Sequence, residues 1–308
     1  MKSKLIAILQ QEGADIVRIG NVERFSDPMV KAVVPGTKSV IGIAFRQLRG
    51  SRRGIEEGST YYQYTTTALE TIEETIIPKA LLRAVAVLED AGFEALPQRR
   101  NQTVMQSMTD TNFEVDYRSI YRGKSAEPQL DFEQCAVDCG IGERGLSGSI
   151  LTGEFGPFIR YAFILTDAEM EPDPICEPYL CDHCRECIRS CPGQALDAEG
   201  KRDNWQCSAY YIGANRRRNP FMPPDAFRND PERLKIIAGE ANLSPERARE
   251  IIDQIIFYPP IKHGYWASIC GRACDTACYI HLEEKGILKK RFKTPFRKRP
   301  EWYLPLEG

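Results

Sequence analysis

Most of the eleven cysteines in this 308-residue chain fall in one stretch of its second half. Four of them follow the spacing Cys181-x2-Cys184-x2-Cys187-x3-Cys191, and Pro192 comes next. Bacterial ferredoxins bind [4Fe–4S] clusters with this run, in which the fourth cysteine serves the other cluster of a pair. Structural zinc, the alternative metal, is usually held by separate cysteine pairs. The spacing therefore predicts iron–sulfur chemistry.

A second set of cysteines supplies the ligands that this run lacks. Cys207 stands by itself, and Cys270, Cys274 and Cys278 form a run with three residues in each gap. Both sets together give eight thiolates, the number that two [4Fe–4S] clusters require. We predict that one cluster takes Cys181, Cys184, Cys187 and a cysteine of the last run, with Cys278 favoured. The other cluster then takes Cys191, Cys207, Cys270 and Cys274.

The last run departs from the usual pattern, because its first gap is one residue longer and Tyr279 replaces the proline. A [3Fe–4S] cluster or an altered ligand set is therefore the alternative for the second group. Three cysteines are left over. Cys135 and Cys176 are expected to be small buried hydrophobic side chains. Cys139 adjoins a glycine-rich loop and is a candidate catalytic residue.

The elements that must position these cysteines form two domains and a tail. Strand patterns at 15–19, 39–45 and 158–166, with a helical pattern at 66–90, predict an α/β domain over residues 1–172. A ferredoxin-like two-cluster domain is predicted at 173–282, with a helical insertion at about 224–258. Residues 283–308 form a basic tail. The fold class is thus α+β, an α/β sandwich-type domain joined to a bacterial two-[4Fe–4S] ferredoxin domain.

Composition and charge restrict the classes of function. The net charge of −2 disfavours a broadly cationic nucleic-acid or membrane binder. No apolar run approaches the length of a membrane-spanning helix, and we expect no membrane partner. Clustered cysteines in a chain of this length favour metal over disulfides. With an N-terminus too polar for a secretory signal, these features predict a cytoplasmic protein.

Several stretches between about 13 and 280 resemble the epoxyqueuosine reductase and reductive dehalogenase family. The segment GADIVRIG at 13–20 resembles the opening strand of that family, and AVDCGIGERG at 136–145 resembles its AGLGxxG loop. Cys207, in QCSAY, stands where the family has the cysteine of RCISY. The resemblance implies a cobalamin-binding domain joined to a two-cluster ferredoxin domain.

The resemblance also implies the cofactors and their use. A corrinoid, cobalamin, would lie on the α/β domain, with Gly140, Gly142 and Gly145 letting the backbone approach it. An external low-potential donor of ferredoxin or flavodoxin type would deliver electrons through the two clusters to cobalt. The chain would then be a corrinoid-dependent reductase acting on a small molecule or a protein. The alternative is an electron-transfer or reductive-activation protein for a partner, such as a corrinoid protein, without substrate chemistry of its own.

The family's catalytic aspartate has no counterpart at the matched position, where this chain has Ala126. We therefore expect a substrate other than epoxyqueuosine. Glu127 or Asp131 could replace the missing acid. By analogy with the dehalogenases, Tyr61 is a further candidate proton donor, with core or surface packing as the alternative role.

The basic tail contains eight lysines and arginines and two phenylalanines between residues 285 and 299. Such a segment can bind RNA or an acidic protein. Charge runs by themselves have little specificity, so RNA is not favoured. We expect a solvated arm whose aromatic residues pack on the body of the protein or on a second subunit.

Overall fold

The computed structural model describes residues 1–100, 130–255 and 267–306. These ranges combine helices and sheets in an α+β arrangement and pack into two compact units, each assembled from separate stretches of the chain. Unit 1 comprises Met1–Arg46, Thr71–Glu143 and Ile159–Pro178, and unit 2 comprises Gln47–Glu70, Arg144–Phe158 and Tyr179–Gly308, within the described residues. Every helix in these ranges is too short or too polar to cross a lipid bilayer.

Unit 1 contains a four-stranded antiparallel sheet with the strand order β1-β2-β6-β3. Its strands are β1 (Ile16–Asn21), β2 (Ser39–Arg46), β3 (Ala95–Gln98) and β6 (Ile159–Thr166). The register places Ile41 of β2 opposite both Ile19 and Ile164. β2 is buried over nearly its whole length, because both faces of the sheet are covered by helices. A second sheet pairs the short strands β4 (Glu143–Arg144) and β5 (Ile150–Leu151).

Helices cover the two faces of the unit 1 sheet differently. On one face, α1 (Lys2–Gln11) and α4 (Ile77–Glu89) bury leucines against alternate residues of β2, including Ile41 and Ile43. On the other face, α5 (Phe132–Cys139) packs against β1 and β2. The short helix α2 (Met29–Val33) lies between β1 and β2 in the chain. The strands and the helix predicted for this part of the chain are thus present.

Pro78 occupies the first turn of α4, where its missing N–H costs no helical hydrogen bond. It is preceded in unit 1 by the π-helical stretch Ile72–Ile76, and a second π-helical stretch, Tyr64–Glu70, belongs to unit 2. A proline inside a helical pattern predicts a kink or two successive helices. In the structure, a change from π-helix to α-helix takes the place of a simple kink.

Unit 2 is mainly helical. Its helices are α3 (Arg49–Glu56), α6 (Glu186–Arg189), α7 (Asn204–Tyr211), α8 (Arg233–Ala238), α9 (Pro245–Gln254) and α10 (Ala273–Glu284). The side chain of Ser244 caps α9 by accepting a hydrogen bond from the Arg247 N–H, as expected for a serine before a first-turn proline. α8 and α9 lie within the range predicted as a helical insertion, at about 224–258, and they share one apolar core with α7.

The basic tail packs on the body of unit 2. Phe296 is fully buried, stacks edge-on against Phe158 and Tyr279, and belongs to the apolar cluster formed with α10. Arg297 pairs with Glu56 of α3 at 2.7 Å. Of the roles considered for this segment, its aromatic residues thus serve packing against the body.

Candidate metal centres

Four cysteines from three separate stretches of unit 2 line one cavity of about 510 Å³. They are Cys191, Cys207, Cys270 and Cys274. Cys207 is supplied by α7 and Cys274 by the first turn of α10, while Cys191 and Cys270 lie in loops. The sequence pattern assigned the same four residues to the second cluster. The cavity therefore places a complete set of four sulfur donors around one space.

Cys278 belongs to a different group, because it packs together with Cys181 against one apolar cluster. Burial raises the pKa of Cys278, and the charges of Asp275 and of its neighbours Cys187, Cys181 and Cys184 raise it further. α10, which contains Cys278, packs against α6, which contains Cys187. Each run therefore contributes one cysteine to the other group. Cys191 of the first run lines the cavity, and Cys278 of the last run belongs with Cys181, Cys184 and Cys187.

Four half-buried thiols around one cavity resist ionisation unless a cation compensates them. Burial raises the pKa of the Cys270 thiol to about 12, and the charges of Cys207 and Cys191 raise it as well. Burial likewise raises the pKa of Cys274. Iron in a cluster would supply the missing positive charge, since thiolates are soft ligands that bind iron–sulfur clusters or zinc. The donor set thus fits an iron–sulfur cluster, and ligation by these eight residues stays a prediction.

Backbone N–H groups already point at several of these sulfur atoms. Leu146 donates to Cys181 Sγ, Ala195 to Cys191 Sγ and Arg272 to Cys270 Sγ, each at 3.3 Å. Hydrogen bonds to cluster sulfurs stabilise the added negative charge of a reduced cluster. These N–H groups would serve a cluster in the same way if these cysteines bind one.

Positive side chains also line the cavity, and sequence reasoning missed them. Arg202 and Arg272 both contribute to its wall. Arg202 donates to the Ser147 carbonyl at 2.7 Å. Arg272 occupies the gap that is one residue longer than usual and has a left-handed backbone with φ of 53°. The longer gap was the sequence signal that could have identified Arg272 as a residue of the site.

A buried ion-pair network lies behind Arg272. Asp275 is 2% exposed and accepts a hydrogen bond from Ser149 Oγ at 2.6 Å. Arg52, 3% exposed, lies 3.7 Å from the same carboxylate and packs over the Phe158 ring at 4.0 Å. Two guanidinium groups thus share one carboxylate, so these three side chains together have a net charge of about +1.

Close packing explains two of the three glycines in the loop at residues 140–145. Gly140 ends α5 with φ of 81°, and a Cβ there would lie 2.5 Å from the Pro174 carbonyl oxygen. A Cβ on Gly145 would lie 2.9 Å from the side chain of Leu151. Gly142 is buried. Internal contacts account for the absence of side chains at Gly140 and Gly145, so these two positions do not by themselves support a corrinoid site.

The three candidate catalytic residues that the structure describes lie in different settings. Cys139 is fully buried, and its thiol donates to the carbonyls of Arg18 and Val40 at 3.3 and 3.4 Å. Asp131 caps α5 by accepting from the Gln134 N–H. Tyr61 is buried against Phe221, and burial raises its pKa. Its hydroxyl has no hydrogen-bond partner among the described residues. Glu127 lies outside the described residues.

Comparison with curated proteins identifies two groups of relatives. An epoxyqueuosine reductase of Listeria monocytogenes is 28% identical over 163 residues, which are 53% of this chain and 34% of that protein. A tetrachloroethene reductive dehalogenase of Sulfurospirillum multivorans is 34% identical over 153 residues, which are 44% of this chain and 29% of that protein. The chain thus spans well under two thirds of the length of these relatives. No established family profile matches it.

The fold has a counterpart among solved structures. A catabolic reductive dehalogenase in complex with 3-bromo-4-hydroxybenzoic acid aligns with a TM-score of 0.50 and 16% identity. The alignment covers 93% of this chain and 37% of the dehalogenase. At this identity the similarity establishes a shared fold.

Proposed function

We propose that this chain, a divergent member of the epoxyqueuosine reductase and reductive dehalogenase-like family, is an oxidoreductase that passes single electrons through two [4Fe–4S] clusters. The exchange of Cys191 and Cys278 between the two cysteine groups carries the proposal. In two-cluster ferredoxins the fourth cysteine of each run serves the neighbouring cluster, and separate zinc sites have no need of this arrangement.

Substitution of single ligands tests this assignment. Cys274→Ser should remove or convert one cluster and leave the other, so that one of two EPR signals of the reduced protein is lost. Iron should fall from about eight to about four or seven atoms per chain, depending on whether the cluster is lost or becomes [3Fe–4S]. Cys135→Ser is the matched control, because Cys135 is buried in unit 1 and belongs to neither cysteine group. Equal effects of the two substitutions would contradict the assignment.

Membership of the family supports a corrinoid as the electron acceptor, and we propose cobalamin on that basis. When bound, cobalamin would supply a strongly nucleophilic and reducing cobalt centre, so the protein would supply electrons and orientation. The substrate would be a small molecule or a protein other than epoxyqueuosine, because Ala126 stands at the matched position of the catalytic aspartate.

One observation favours the alternative acceptor, a partner protein reduced by the clusters. Gly140 and Cys139 face their own chain rather than an open surface, since Gly140 packs on Pro174 and the Cys139 thiol bonds to β1 and β2. Mixing anaerobic protein with hydroxocobalamin and desalting it separates the two acceptors. If the absorption spectrum shows that about one corrin per chain remains bound, cobalamin is supported as the electron acceptor. If no corrin remains, the acceptor is a partner protein.

A further inference from the structure

Three consecutive arginines form a turn in unit 2, the 3₁₀ stretch Arg216–Arg218, in which Arg216 and Arg218 are half-buried. Arg216 donates to the Asn219 carbonyl at 3.1 Å, and Arg218 pairs with Glu301 at the same distance. Arg217, between them, is exposed and has no ion-pair partner among the residues that the structure describes. One guanidinium group on this turn is therefore free to meet an external anion.

The turn is anchored directly to the backbone that follows a predicted cluster ligand. The side chain of Asn215, 6% exposed, donates to the Pro192 carbonyl at 2.6 Å and accepts from the Arg217 N–H at 2.9 Å. Gly239 allows this close approach, because a Cβ there would lie 2.0 Å from the Pro192 oxygen. The position of Arg217 is thus coupled to the peptide next to Cys191.

A surface pocket of about 480 Å³ joins the arginines to that ligand. Its wall contains Arg189, Arg217 and Arg218 together with Cys191. Glu301, the carboxylate in the wall, already pairs with Arg218 and with Arg297. Arg189 pairs with Glu186, which lies outside the lining. Arg189 and Arg218 are thus each paired with a carboxylate, and Arg217 leaves the pocket with one uncompensated positive charge near Cys191.

We infer that this arginine pocket is the docking site of an acidic one-electron carrier protein. The inference rests on the proposed function and names the entry point of the electrons. Electron transfer between proteins slows steeply with distance, so a donor must dock beside a cluster. Complementary charge both steers and orients such encounters. The reduced carrier loses one electron and the oxidised cluster gains it, with no bond made and no proton moved.

RNA phosphates are the competing anions for such a surface. The presence of Cys191 in the pocket wall favours the redox partner, since an RNA site needs no cluster ligand within it. The choice between the two partners is an outcome of the test.

The experiment compares Arg217→Glu with Arg228→Glu in the full-length, cluster-loaded protein. Arg228 is exposed, lies in unit 2 and does not contribute to the pocket, so the control has the same change of charge. Reduction by an acidic plant-type [2Fe–2S] ferredoxin is followed by anaerobic stopped-flow absorbance. We expect Arg217→Glu to lower the second-order rate constant at least tenfold at low salt. Arg217→Gln should give an intermediate rate, and the difference should shrink as salt screens the charges.

Two further measurements make the outcome decisive. Photoreduced deazaflavin, a small reductant, should reduce all variants at the same rate. Equal ferredoxin rates for Arg217→Glu and Arg228→Glu would overturn the docking site, as would RNA binding that Arg217→Glu abolishes without changing the ferredoxin rate. Iron and sulfide are counted first. A wild type without clusters rejects the proposed function, whereas loaded clusters with unchanged rates reject only the docking site.

Discussion

Arg272 Nε lies 2.7 Å from Asp275 Oδ2, at the edge of the cavity lined by four cysteines. The Asp275 charge raises the pKa of Arg272, which keeps this guanidinium protonated. Arg52 approaches the same carboxylate from behind, so the group retains a net positive charge. A positive charge beside a cluster stabilises its reduced form, because reduction adds one negative charge.

Arg272→Gln should therefore make one of the two reduction potentials more negative. We expect a shift of at least about 60 mV, which corresponds to a tenfold change in a one-electron equilibrium. The second potential should shift less, because Arg272 lines this cavity, whereas the Cys278 thiol of the other group is affected by the Asp275 charge. An EPR-monitored redox titration measures both. Arg228→Gln controls for the loss of one exposed charge, and an equal shift of both potentials would contradict the assignment of Arg272.

Cys139 should resist alkylation in the folded protein up to pH 9. Burial raises the pKa of its thiol to about 12, compared with about 8.5 in an unfolded chain. The folded pKa is the higher one, so the stability that the protonated thiol contributes is complete below pH 8.5. It is lost as the pH rises from 8.5 toward 12, at up to about 1.4 kcal/mol per pH unit. Iodoacetamide labelling with mass spectrometry checks this prediction.

In urea, the same thiol should react readily. Cys139→Ser should reduce, by the share of this one thiol, the pH dependence of the unfolding free energy that wild type shows above pH 8.5, because other buried groups such as Cys135 also have a raised pKa. Rapid labelling of Cys139 in the folded protein at pH 8 would instead show an accessible, reactive thiol and would restore it as a catalytic candidate.

Gly140→Ala should destabilise the protein more than Gly92→Ala. Both glycines have positive φ, 81° and 86°, which costs an alanine about 1–2 kcal/mol. Gly92 has open space around it, whereas a Cβ at Gly140 meets the Pro174 carbonyl oxygen. Overpacking should add at least about 1 kcal/mol at Gly140. Urea unfolding measures both variants, and equal losses would show that the contact with Pro174 is easily relieved.

The tail offers a matched pair of phenylalanines. Phe296 is fully buried and Phe292 is 45% exposed. Phe296→Ala should cost about 3–5 kcal/mol of unfolding free energy, as for other buried phenylalanines. Phe292→Ala should cost less than about 1 kcal/mol. Urea titrations of the two variants test whether the tail is part of the core of unit 2, and a small effect of Phe296→Ala would return it to a solvated arm.

Sequence reasoning anticipated features that depend on local spacing. Continuous apolar runs identified β2 and β6, as is typical of strands buried on both faces, and helical periodicity identified α4. Cysteine spacing anticipated the grouping of Cys191 with Cys270, since the geometry of a cubane fixes how a short loop can wrap it.

Contacts between residues that are far apart in the chain could not be predicted from local residue spacing. Arg52 and Asp275 are 223 residues apart in the chain, from 52 to 275, and meet only in the folded unit. The sequence GIG at residues 140–142 resembles a cofactor-binding loop. In the structure, Gly140 packs against Pro174, and this contact explains why the first of these residues is glycine. The charge of the basic tail indicated a ligand-binding segment. In the structure, the buried ring of Phe296 attaches the tail to the body of unit 2.

The iron and acid-labile sulfide content of anaerobically purified protein tests the central claim most directly. Eight thiolates in two groups predict about eight iron and eight sulfide per chain, with two [4Fe–4S] EPR signals after reduction. About four of each per chain, or tightly bound zinc in place of iron, would contradict the account.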